Sequence, residues 1–152
     1  MRSTNWLLDQ LKADFPELTF VADDDFKWSP QTKTVFFAAN DAHFPARLLH
    51  EVAHAALEHS DYSRDIELIA IERDAWHYTQ TVLAPKYQVT LTDDEVQDDM
   101  DTYRDWLHAR STCPTCSATG LQTDKKTYRC VACHQTWDVN EALVCNLRRY
   151  KR

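Results

Sequence analysis

His50-Glu51-Val52-Ala53-His54 decides how this chain is interpreted, because these five residues have the HExxH pattern. On a helix the two histidines lie four positions apart, so both imidazoles leave the same face and can bind one zinc ion. Glu51 lies beside them and has the chemistry of a general base. The pattern therefore predicts two ligands and the base of a catalytic zinc site, which also needs a third protein ligand and an open fourth position.

Hydrophobic patterns around this stretch predict an α+β domain in which helices accompany a small antiparallel sheet. The expected helices cover residues 4–15, 45–59, 64–83 and 92–110, and the expected strands cover 18–22 and 34–38. The helix over 64–83 is expected to stop before Pro85, because proline removes a backbone donor. The edge of the strand over 34–38 is a candidate place for an extended peptide to add, and a plain core strand is the equally good alternative.

The third ligand is expected on the helix that follows the HExxH stretch. Its acidic candidates are Asp65, Glu67, Glu72 and Asp74. Glu72 falls in a mainly apolar stripe, where a carboxylate costs several kcal/mol unless it is paired or binds a metal. Asp65 lies in the first turn, where the helix dipole favours a carboxylate without a metal. Glu72 is therefore predicted as the third ligand, and a buried ion pair with an arginine such as Arg47 is the alternative.

Two CxxC pairs near the C-terminus predict a second, structural zinc site. The four ligands are Cys113, Cys116, Cys130 and Cys133, and 13 residues separate the two pairs. This spacing is typical of a zinc ribbon closed by four thiolates. We therefore predict a metallopeptidase-like domain over residues 1–110 and a zinc ribbon with a C-terminal helix over 111–152, in which Cys145 is a buried apolar residue.

Three blocks of the chain resemble the ImmA/IrrE-type zinc metallopeptidases. They are residues 50–59, 72–78 and 82–85, which look like that family's HExxHxxLxH, ExxAxxF and LLxP blocks. The resemblance implies a small zincin-like α+β metallopeptidase domain with one catalytic zinc. It also implies a regulatory endopeptidase that hydrolyses peptide bonds of a specific protein substrate.

Zinc would then lower the pKa of a bound water towards ~7. Glu51 would take the proton from that water and pass it to the leaving amine. Four side chains are candidates to stabilise the oxyanion, although each also has an ordinary structural interpretation: His59 (a cation at the helix C-terminus), His77 (a surface residue), and Tyr62 and Tyr78 (packing aromatics).

Composition limits the other possibilities. The single glycine excludes glycine-rich phosphate loops, and the apolar runs are too short to cross a membrane, which leads us to expect a cytoplasmic protein. Residues 113–152 carry seven Lys and Arg against three Asp and Glu, within a chain of net charge −7. This basic tail is weak evidence that the ribbon binds nucleic acid, and a protein partner is the other possibility.

Two alternative functions stay open. In a SprT-like protease associated with DNA, His77 would replace Glu72 as the third ligand. In a non-catalytic zinc-binding protein, the HExxH helix would hold metal only for stability, and Glu51 argues against this because a structural site needs no general base.

Overall fold

The computed structural model describes residues 3–140 and 149–151, and its internal contacts divide into two compact units. The first unit contains the residues up to Ser60 together with Arg73–Thr92. The second contains Asp61–Glu72 together with the described residues from Asp93 onwards. Both units combine helices with a small sheet, which confirms the α+β class. The division into a metallopeptidase-like domain over residues 1–110 and a zinc ribbon over 111–152 stays a prediction.

The first unit begins with two helices that pack on one core. Helix α1 (Thr4–Asp14) is capped by Ser3, whose hydroxyl accepts the backbone N–H of Trp6 at 3.2 Å. Helix α2 (Phe44–Ala56) has Pro45 in its first turn, where proline needs no hydrogen-bond partner. This helix was expected to reach residue 59, and it ends three residues earlier, at Ala56. His59 therefore lies beyond the helix.

A three-stranded sheet supports these helices. Its strands are β1 (Thr19–Ala22), β2 (Lys27–Ser29) and β3 (Thr34–Phe37), in the order β1-β3-β2. Strand β3 pairs parallel with β1 and antiparallel with β2, so the expectation of a purely antiparallel sheet was wrong. The sequence signal missed β2 because three residues are too few for a periodic pattern.

Strand β3 is the centre of this sheet, and its neighbours occupy both of its edges. Its backbone therefore has no edge at which a peptide could add, and the interpretation of residues 34–38 as a peptide-binding edge was wrong. The alternative of a core strand is confirmed, because Val35 and Phe37 are buried. The other buried residues of this core are Leu7, Leu11, Phe26, Phe44, Leu48, Leu49, Val52, Ala53, Ala75, Leu83, Ala84 and Tyr87.

The helix after the HExxH stretch does not stop before Pro85. Helix α3 (Asp65–Tyr78) passes through a π-helical turn (Thr79–Leu83) directly into the short helix α4 (Ala84–Tyr87). Pro85 lies in the first turn of α4 and has no backbone N–H to donate to the preceding helical turn. That preceding turn is π-helical, which is wider than an α-helical turn. The hydroxyl of Thr79 donates to the Ala75 carbonyl at 2.8 Å and satisfies a backbone acceptor at this change of pitch.

The second unit contains helix α5 and a four-stranded antiparallel sheet. Helix α5 covers Asp93–Ser111, and it begins directly after the predicted cap, Thr92. The strands are β4 (Gly120–Asp124), β5 (Thr127–Cys130), β6 (Thr136–Val139) and β7 (Arg149–Lys151), paired in chain order. The predicted C-terminal helix and Cys145 lie outside the described residues. Within the described ranges, no helix has the length and apolar character needed to span a bilayer.

A buried ion pair joins the elements of the second unit. Asp65, which is 2% exposed, accepts the Nε–H of Arg110 at 2.7 Å and the hydroxyl of Tyr128. Arg110 also donates to the Asn140 carbonyl. The prediction that Asp65 needs no metal is compatible with this contact. The charge that stabilises the Asp65 carboxylate, however, comes from an arginine 45 residues away and not from the helix dipole alone.

Candidate metal centres

The two histidines of the HExxH stretch face each other on α2. His50 and His54 are buried, with 5% and 6% of their surface exposed, and their Nε2 atoms are 3.1 Å apart. One ligand atom from each of His50, Glu51 and His54 lies within 4.8 Å of the others. The Glu51 carboxylate is thus close to the two imidazole nitrogens. The residue is half-buried, so part of its side chain remains in contact with water. This group could hold a metal ion.

The packing of α2 orients the two imidazoles. Leu48, Leu49 and Val52 are fully buried and fix the helix against the core of the first unit. The indole of Trp76 stacks on the His50 ring, with centroids 4.1 Å apart and planes inclined by 21°. By residue spacing, Trp76 falls in the same apolar stripe as Glu72. Its contact with His50 means that the stripe also orients an imidazole of the HExxH stretch.

His59 does not lie on α2, contrary to the expectation that this helix extends to residue 59. Helix α2 ends in a Schellman motif, in which Glu58 is left-handed (φ 56°) and the His59 N–H donates to the His54 carbonyl at 2.9 Å. This turn brings the His59 ring back, and its Nδ1 lies 2.9 Å from His54 Nδ1. The ring therefore faces a neighbouring imidazole, and the interpretation of His59 as a cation at the helix C-terminus stays a prediction.

Glu72 is buried, with 6% of its surface exposed, as its apolar stripe predicts. It lies on α3 one turn before Trp76, in the part of that helix that belongs to the second unit. Arg47, considered as an alternative partner, pairs with Asp41 at 2.9 Å and Asp25 at 3.3 Å. The assignment of Glu72 as the third ligand stays a prediction.

The other acidic candidates on α3 have surroundings that need no metal. Glu67 is exposed and accepts the backbone N–H of Ser63 at 3.0 Å. Asp74 is exposed beside Arg73, whose guanidinium lies 3.3 Å from its carboxylate. Both carboxylates are therefore stabilised by water and by these contacts, without a metal ion.

The candidate oxyanion donors have different environments. His77 is exposed, whereas its neighbour Trp76 is buried against His50, so the helix turns His77 away from the stacked pair. This disfavours His77 as a substitute for Glu72. Tyr78 packs against the core of the first unit, and Tyr62 is half-buried in the second. Burial raises the pKa of Tyr62, so its hydroxyl stays protonated at neutral pH.

The four predicted cysteines form a second cluster. Their sulfurs lie within 4.8 Å of one another, with Cys113 Sγ 3.7 Å from Cys133 Sγ and Cys116 Sγ 3.4 Å from Cys130 Sγ. Each CxxC pair is followed by a left-handed residue at φ 66°, Ser117 in the first and His134 in the second. The two turns thus have the same form and direct their thiols to a common point that could hold a metal ion.

Backbone donors favour the thiolate form of Cys130, the form that binds metals. The N–H groups of Cys133 and Ala132 donate to Cys130 Sγ at 3.4 Å and 3.3 Å, and they lower the pKa of the Cys130 thiol to about 6. The Thr115 N–H donates to Cys113 Sγ in the equivalent place of the first pair. His134, which directly follows Cys133, lies beside Arg129, with its Nδ1 3.4 Å from the guanidinium.

Comparisons of the chain with protein-family models, curated proteins and solved structures found no match. The resemblance to the ImmA/IrrE-type metallopeptidases therefore stays a prediction carried by the residues of this chain.

Proposed function

We propose that this protein is a zinc-dependent metallopeptidase, a regulatory endopeptidase that hydrolyses peptide bonds of a specific protein substrate. The observation that supports it best is the 3.1 Å between His50 Nε2 and His54 Nε2, with Glu51 beside them. Two nitrogens bound to a tetrahedral zinc at ~2.0–2.1 Å lie roughly 3.3–3.4 Å apart, so the observed spacing fits one shared zinc ion. Glu72 is the third ligand that the sequence predicts.

Zinc supplies Lewis acidity, which activates water and polarises a peptide carbonyl. The protein's own contribution is proton transfer by Glu51. Its carboxylate follows His50 directly on α2 and is half-buried, so it can reach a water near both nitrogens. We propose that a Glu51 oxygen accepts the proton of the attacking water and then donates it to the amine of the departing peptide.

The cysteine cluster fits a structural zinc ion. In a tetrahedral site with Zn–S bonds of ~2.3 Å, neighbouring sulfurs lie roughly 3.8 Å apart, close to the observed 3.7 Å and 3.4 Å. Four thiolates fill the coordination sphere and leave no open position for a substrate. We propose that this second zinc stabilises the ribbon, which recruits a protein partner or nucleic acid.

The test is the metal content of purified variants, measured beside cleavage of a peptide library. The wild-type protein should contain two zinc ions per chain and cleave peptides, and Glu72→Ala should contain one. Glu51→Gln should keep both zinc ions and lose cleavage by at least ~100-fold, the size of a general-base contribution. Glu67→Ala is the matched control, since it removes an exposed carboxylate from the same helix and should change neither property.

Two outcomes would contradict the proposal. Unchanged zinc content in Glu72→Ala would reject that ligand. A wild-type protein with two zinc ions and no cleavage of any peptide or lysate protein would favour the alternative, a non-catalytic zinc-binding protein.

A further inference from the structure

A contact between two imidazoles lies behind the proposed metal site. His54 directs Nε2 towards His50, and its other ring nitrogen, Nδ1, is 2.9 Å from His59 Nδ1. We propose that His59 is a positioning residue: its Nδ1 accepts the Nδ1–H of His54 and so keeps the lone pair of His54 Nε2 directed at the metal. The inference rests on the proposed zinc site at His50 and His54, but it requires no peptidase activity.

The position of one proton determines the direction of this hydrogen bond. A neutral imidazole has one N–H and one lone pair, and a metal ligand needs its lone pair on the coordinating nitrogen. If His54 binds metal through Nε2, its proton is on Nδ1. The nitrogen 2.9 Å away then has to be an acceptor, which places the His59 proton on Nε2. The opposite direction would put the His54 proton on Nε2 and block coordination.

The backbone holds His59 in the place this role requires. Its N–H closes the Schellman motif on the His54 carbonyl, so the same two residues are joined through backbone and side chain. Its carbonyl accepts the indole N–H of Trp28 at 2.9 Å, which ties the turn to strand β2. Glu58 adopts a left-handed conformation unusual for a non-glycine residue in order to form this turn. His59 is therefore fixed on both sides of its Cα.

The same geometry excludes His59 as a third ligand of the ion. The two nitrogens of an imidazole point away from each other, and His59 faces the nitrogen of His54 opposite to the one that faces His50. Side chains that accept a hydrogen bond from the ring N–H of a metal-binding histidine raise its basicity and fix its ring, and their loss weakens metal binding about 10–100-fold. His59 fits this pattern with an imidazole as the acceptor.

The experiment compares zinc affinities by competition with a chromophoric chelator. His59→Leu removes the acceptor and keeps a similar volume, and it should bind the zinc ion at His50 and His54 about 10–100-fold more weakly. His59→Asn places an amide oxygen where Nδ1 lies, and it should restore affinity to within about fivefold of wild type. His108→Ala, an exposed histidine on α5, is the control and should bind zinc as wild type does. The cysteine site should retain one zinc in every variant.

A measurement on the wild-type protein tests the proton directly, without any substitution. Long-range ¹H–¹⁵N correlation spectra of the zinc-loaded protein should show His54 protonated on Nδ1 and His59 protonated on Nε2. A proton on His59 Nδ1 would overturn the inference, as would wild-type zinc affinity in His59→Leu. Either result, with two zinc ions per wild-type chain, leaves the proposed function intact. A wild-type protein that binds only the cysteine-site zinc would instead reject the proposed function.

Discussion

Replacing Arg110 with methionine should destabilise the protein more than any ordinary surface change. The Arg110 guanidinium donates to Asp65 at 2.7 Å, and the exposed fractions of the two side chains are only 5% and 3%. Methionine keeps most of the apolar stem and removes the charge, so the Asp65 carboxylate stays buried without its cation. The hydroxyl of Tyr128 remains as a donor, but a neutral donor does not compensate a full negative charge.

The expected loss follows from this arrangement. Removing one member of a buried ion pair costs about 3–5 kcal/mol of unfolding free energy. With a urea m-value of about 2 kcal/mol/M for a protein of this size, the unfolding midpoint should fall by roughly 1.5–2.5 M. The measurement is equilibrium urea unfolding in excess zinc, followed by circular dichroism, so that metal loss does not add to the effect.

Two further variants identify the cause. Arg104→Met removes an arginine from the same helix whose ion pair with Asp101 spans 2.8 Å but is 50% and 62% exposed, so it should cost less than about 0.5 kcal/mol. The double variant Asp65→Asn/Arg110→Met removes the buried charge as well as its partner, and it should be about 1–2 kcal/mol more stable than Arg110→Met alone. A double variant that is less stable than Arg110→Met would refute the reasoning.

Three other changes have expected outcomes. Gly120→Ala should cost about 1–3 kcal/mol in urea unfolding, because a Cβ there would meet the Trp137 ring and lie 2.9 Å from a backbone oxygen. Cys130→Ser should lower the zinc content by one ion per chain and leave the zinc at His50 and His54, as metal analysis would show. In alkaline titration followed by tyrosine absorbance, Tyr87 and Tyr128 should not ionise near pH 10, the ordinary value for a tyrosine, because burial and a carboxylate acceptor raise both pKa values. Since the unfolded value is ~10, their contribution to stability is complete below that pH and is lost as the pH rises above it.

The sequence predicted those parts of the site that depend on residue spacing. Four-residue spacing brings His50 and His54 to one face of a helix, and CxxC spacing forms each cysteine pair, since both geometries are local. The arrangement of β1 and β3 was missed, because whether strands pair parallel or antiparallel depends on the path of the chain between them. His59 was misplaced for a similar reason. Its position follows from one left-handed residue, Glu58, where sequence preference favours glycine.

Asp65 and Glu72 show what the burial of a carboxylate predicts about its partner. Both are carboxylates on α3 and both are buried, so both require a partner that stabilises the negative charge. For Asp65 that partner is Arg110, a residue that no local pattern could have connected to it. Burial therefore predicts that a counter-charge exists, and the chemistry of the partner must come from a second observation. For Glu72 that observation is the metal content of Glu72→Ala. If Glu72 is a zinc ligand, the variant protein should contain one zinc ion fewer than the wild type. If Glu72 is instead paired with a cationic side chain, the variant should be less stable and should keep both zinc ions.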